Sequence, residues 1–75
     1  MLPLQDLLER WMAGETLPGV DYALNDLVEV VDGAHAGERG TVITPVQFEP
    51  TLVFAVELSS GTDIDIAQSS LRPAG

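Results

Sequence analysis

Hydrophobic positions change their spacing along the chain, and the change divides it into parts. Leu4, Leu7, Leu8, Trp11 and Met12 recur at intervals of three, four, seven and eight, the stripe of an amphipathic helix, which predicts helix over residues 3–13. Pro3 suits the first turn, where its missing N–H leaves nothing unpaired, Asp6 and Arg10 stand at i,i+4 for an ion pair, and Gly14 supplies a stop. The stripe carries the only tryptophan. A helix this short is marginal alone in water, so its apolar face is expected either to pack on the rest of the chain or to meet a second copy.

From Leu27 onward the pattern shortens to runs of strand type broken by Gly, Pro and polar residues. Residues 27–31, 40–44, 51–58 and 62–66 read as strands, with 70–73 as a short fifth. Val28 and Val30 share one face of the first run; Leu52, Phe54, Val56 and Leu58 share one face of the third; Ile64 and Ile66 oppose Asp63 and Asp65 in the fourth. Ser59, Ser60 and Gly61 read as a hairpin turn between the third and fourth runs. Short strands with so few residues left for crossovers predict a mostly β chain, a small five-stranded antiparallel barrel preceded by one helix. The expected organisation is a helix over 1–14, a connection over 15–25 containing Leu17-Pro18-Gly19, and a barrel over 26–75.

Composition narrows what such a chain does. At 75 residues it buries only about 60% of the surface its unfolded form exposes, leaving little room for a deep catalytic cavity beside a core, so no enzymatic activity is expected. The absence of cysteine excludes disulfides, thiolate zinc sites and a nucleophilic thiol. Hydrophobic residues make up 45% of the chain against 20% charged, too apolar for a disordered acidic tail. The first dozen residues lack a basic n-region and carry Asp6 and Glu9, which reads as mature cytoplasmic sequence, and no uncharged apolar run approaches a membrane span. Three arginines, Arg10, Arg39 and Arg72, face twelve carboxylates, for a net charge of −9. Phosphate binding depends on cations that release counterions, so nucleic acid is a poor partner and a basic protein surface a good one.

One stretch stands out. Val28 to Val42 follows V-x-V-x-x-G-x-x-x-G-x-x-G-x-V, a strand, a glycine-bearing loop and a second strand, with Gly33, Gly37 and Gly40 expected to serve positive φ or close backbone approach. The pattern resembles the KOW motif of SH3-like barrels in ribosomal large-subunit proteins and NusG-type elongation factors. Phe54 to Leu58, the Ser-Ser-Gly turn, Ile64-Asp65-Ile66 and Ser69-Ser70-Leu71-Arg72-Pro73 are similar to the later strands and closing turn, so the resemblance spans about residues 26–73. It implies an SH3-like fold and, for family members with basic glycine loops, RNA or ribosome binding. Here the loop offers Arg39 against Glu38, and residues 26–75 hold two arginines against eight carboxylates, a net −6 that repels phosphate. Gly40-Thr41-Val42 and Val56-Glu57 also resemble small accessory subunits of the PsaE and ferredoxin-thioredoxin-reductase type, which dock onto larger electron-transfer partners.

The expected function is therefore a protein-interaction or accessory module with an acidic surface. Phe48, between Pro45 and Pro50, is either an aromatic anchor on a stiffened loop or a plug for one end of the barrel. His35 and Arg39 in the glycine loop, and Trp11 on the helix, are the other candidate contacts. His35 has neither a Cys nor a second His to complete a metal set, and a loop histidine is ordinarily solvent-facing. An RNA- or ribosome-associated factor is the first alternative, needing a basic patch from Arg39 and Arg72. A weak calcium site from Glu57, Asp63 and Asp65 is the second, against the ordinary reading of a solvated polar face. No cofactor is implied, and the chain is expected as a monomer or a homodimer joined through the helix.

Overall fold

A computed structural model of the chain describes residues 4–74, and for Leu4 the backbone alone. The first-turn role expected of Pro3 lies outside the described residues. The helix α1 runs over Leu4–Met12, followed by strands β1 (Leu27–Val30), β2 (Arg39–Gln47), β3 (Val53–Leu58), β4 (Asp63–Ala67) and β5 (Leu71–Pro73), with one 3-10 turn at Gln68–Ser70 leading into β5. All five strands lie in one antiparallel sheet ordered β4-β3-β2-β1-β5. The chain is mostly β, with one N-terminal helix. The ladders end at β4 and β5, so the described sheet has two outer strands rather than a continuous ring of hydrogen bonds.

Alternation along the strands produces the core. Val28 and Val30 of β1, Val42 of β2, Phe54, Val56 and Leu58 of β3 and Leu71 of β5 are buried, with Ile64 and Ile66 of β4 packed against them. Their neighbours point outward: Leu27 is 57% exposed and Asp63 and Asp65 are exposed. Each alternation follows from the strand period of two, which sends successive side chains to opposite faces.

β2 runs three residues beyond its expected end, through Pro45. Register shifts between Val42 and Thr44 and between Pro45 and Gln47 interrupt its pairing with β3, and Pro45, which has no N–H to give, sits between them. β3 begins later than expected, because Thr51 and Leu52 belong to the preceding loop, where the Gln47 side-chain amide donates to the Thr51 carbonyl at 2.7 Å. The connection joins the sheet before β1 starts: the Asn25 N–H donates to the Val42 carbonyl and the Val42 N–H to that of Asp26.

The helix packs on the sheet. Trp11 is 2% exposed and its ring centroid lies 6.1 Å from that of Phe54. Its indole N–H donates to the Tyr22 carbonyl at 2.8 Å, and Tyr22 meets Phe54 edge-on at 6.0 Å. Trp11 is thus a core residue, and its expected role as a partner contact is corrected: an indole in this three-ring cluster has no surface to offer. Met12, expected on the same stripe, is 55% exposed. The expected Asp6–Arg10 pair is also replaced. The chain turns after α1 so that the Glu15 N–H donates to the Arg10 carbonyl, which brings the Glu15 carboxylate 3.1 Å from Nε of Arg10.

Candidate functional site

The glycine loop between β1 and β2 is a closed set of backbone hydrogen bonds. The Gly37 N–H donates to the Val30 carbonyl at 2.7 Å and the Val30 N–H to the Glu38 carbonyl at 2.8 Å, which ties the loop across its base. Gly37 has φ 88° and Gly33 φ 78°, a region that side-chain-bearing residues rarely occupy. Gly40 serves a different need. A Cβ there would stand against the Glu57 carbonyl oxygen at 2.3 Å, so β2 and β3 approach only because the side chain is missing. All three glycines of the motif are explained by backbone geometry.

Within the loop His35 and Glu38 pair with one another. Nδ1 of His35 lies 2.8 Å from a Glu38 carboxylate oxygen, which pins the half-buried ring to its own loop. Arg39 and Arg72 both turn to Glu29. Glu29 lies opposite Arg39 on the β2 side and opposite Arg72 on the β5 side, so one carboxylate on β1 is flanked by a cation from each neighbouring strand. The distances are 3.7 Å to Arg39 Nε and 3.1 Å to Arg72 Nη2, with the Glu29 side chain only 17% exposed. This cross-strand trio was not anticipated from the sequence, because it depends on register.

The weak calcium candidate does not assemble. Glu57 and Asp63 face one another across β3 and β4, but Asp65 lies two pairs further along, opposite Ala55. Extended backbone spaces alternate residues by nearly 7 Å, so Asp65 stands apart from the Glu57–Asp63 pair and the three do not close into a cage. Among the described residues no group of three or more His, Asp and Glu side chains is placed to hold a metal ion. No polar or charged side chain is buried among them either.

Phe48 stands elsewhere, in the loop that leaves β2. It is half-buried, packed against the core on one side and lining a groove of about 620 Å³ on the other. The groove lies between α1, the connection and this loop: Leu7, Leu17, Pro18, Val20, Pro50 and Leu52 supply its apolar lining, and Arg10 and Glu49 its charges. The connection is fixed by the Gln68 side chain, which accepts from the Asp21 N–H and donates to the Gly19 carbonyl, both at 2.9 Å. Phe48 is thus neither fully exposed nor fully buried, with contacts to the core and a share in the lining of the groove.

Burial raises the Tyr22 phenol above its ordinary range, and the Asp21 and Asp26 carboxylates add to the rise. No described helix is long and apolar enough to cross a membrane. No family model, curated protein or solved structure matches the chain.

Proposed function

We propose that this chain is a non-catalytic interaction or accessory module, a KOW-type member of the SH3-like barrels, that meets a basic protein partner in the cytoplasm through its acidic surface. The observation that supports this most is the fate of its cations. Arg10 is paired with Glu15, and Arg39 and Arg72 converge on Glu29. Every arginine in the chain is committed to a carboxylate, while Glu57, Asp63 and Asp65 line up on the outer face of β3 and β4 without a cation among the described residues. Like charges directly opposite on a ladder are unfavourable, and a cationic partner relieves that repulsion.

The RNA-associated reading has one observation in its favour: Arg39 and Arg72, though paired, come to the same carboxylate with their side chains 66% and 62% exposed. Immobilised protein exposed to cell lysate at low and then moderate salt, with and without nuclease, separates the two. Retention of a basic protein that survives nuclease and weakens with salt is expected. Nuclease-sensitive retention of ribosomal material, or steeply salt-dependent RNA binding by the pure protein, overturns the interaction-module reading in favour of the other.

A further inference from the structure

We infer that the groove beside Phe48 is the docking site for a segment of a partner protein that carries a large apolar side chain flanked by lysine or arginine. This rests on the acidic-module reading and gives it a site. Phe48, Leu7, Leu17, Val20 and Leu52 line the groove, and Pro18 and Pro50 stiffen its edges. Its volume of about 620 Å³ lies within the roughly 300–1,000 Å³ of clefts that bind ligands. Rigid edges reduce the ordering that binding must impose. Of the chain's four aromatic residues, Trp11, Tyr22 and Phe54 gather in one cluster, and Phe48 is the one that lines the groove.

Charge selects the occupant. Arg10 on the rim is neutralised by Glu15, whereas Glu49 is exposed and has no cationic partner among the described residues. The rim is therefore net acidic, on a chain whose total charge is −9. A second copy brings another −9 and is repelled, while a basic segment is attracted. The outward carboxylates of Glu57, Asp63 and Asp65 attract the same charge but lie on the outer face of the sheet; the groove adds apolar surface in which a side chain is desolvated, which is where binding energy concentrates.

The test is an amide chemical-shift titration of the full isotope-labelled chain with a designed helical peptide of leucine and lysine. Two control peptides replace leucine with serine or lysine with glutamate. Shifts are expected at Leu17, Val20, Phe48 and Leu52, with each control at least about tenfold weaker. Phe48→Ala is expected to weaken binding about tenfold and Glu49→Lys about threefold. Glu49 is exposed, so its variant carries the test even if Phe48→Ala disturbs the core that Phe48 also touches. Shifts confined to Glu57, Asp63 and Asp65, with both variants binding as the parent does, overturn the groove and leave the acidic module standing. Failure of every lysine-bearing peptide to bind overturns both. Concentration-dependent shifts at the groove without peptide assign it to a second copy and overturn the inference.

Discussion

Between Leu27 and Pro73 the chain is held by antiparallel ladders, each residue pair reinforcing the next, whereas between Leu4 and Asp21 it is held to the sheet by a few separate side chains. Trp11 and Leu17, 2% and 4% exposed, are the apolar anchors, and the Trp11 indole and the Gln68 amide add hydrogen bonds. The two regions share one core through Phe54, yet they respond differently to damage. A ladder loses one rung and keeps its register; a segment on few anchors can detach while the sheet persists. The proposed groove lies along the seam between them, walled on one side by α1 and the connection and on the other by Phe48, Pro50 and Leu52.

The strongest way to erase this contrast is at Phe54, which touches both regions. Phe54→Ala is expected to cost about 4 kcal/mol and to unfold helix and sheet together, read as one cooperative transition at much lower denaturant, because it opens a cavity in a core too small to refill it. Trp11→Ala is expected to cost about 3 kcal/mol and to sharpen the contrast. Amide exchange should accelerate across 4–21 while β2 and β3 stay protected; uniform acceleration would mean that the helix is an integral part of the sheet's cooperative unit.

Gly40→Ala probes the sheet alone. Forcing a Cβ against the Glu57 carbonyl should separate β2 from β3 at a cost of about 2 kcal/mol, with the midpoint of denaturation as the measure. Gln68→Ala does the reverse, freeing the connection with little effect on the ladders. A loss of about 1 kcal/mol and faster exchange at Asp21 are expected, and an unchanged Asp21 rate would show that the side chain holds nothing.

The smallest effect is a pH dependence at the seam. Tyr22 is harder to ionise in the folded chain than in the unfolded one, chiefly through burial. Its contribution is fully present below the unfolded phenol pKa of about 10 and is lost as pH rises from there through the higher folded value. An ultraviolet titration of phenolate reads Tyr22 directly, since it is the only tyrosine. A midpoint at or below that of the denatured chain would contradict the burial.

Much of this architecture was legible in the residues themselves. Spacings of three and four marked the C-terminal end of α1 to within a residue, and the alternation of Val28 with Glu29 and of Phe54 with Ala55 identified the buried faces of β1 and β3, because local periodicity is a property of the chain alone. The offsets of Gly33, Gly37 and Gly40 announced a constrained loop for the same reason. The limits of β2 were not legible, since two register shifts carry the strand past Pro45, and whether a proline is tolerated depends on what lies across from it.

For the candidate contacts, the residue types in the sequence narrowed the choice to a few positions: the tryptophan, the loop aromatic, the histidine and the two arginines of the sheet. Burial and register then sorted them. Trp11 entered the core because Phe54 and Tyr22 were there to receive it; Arg39 and Arg72 met on Glu29 because β2 and β5 flank β1; Phe48 was left along a groove because α1 and the connection pass nearby. Periodicity, composition and net charge are sums over the chain and can be read from it directly. Which charge finds a partner and which aromatic keeps an open side depend on residues distant in sequence, and only the folded arrangement brings those together.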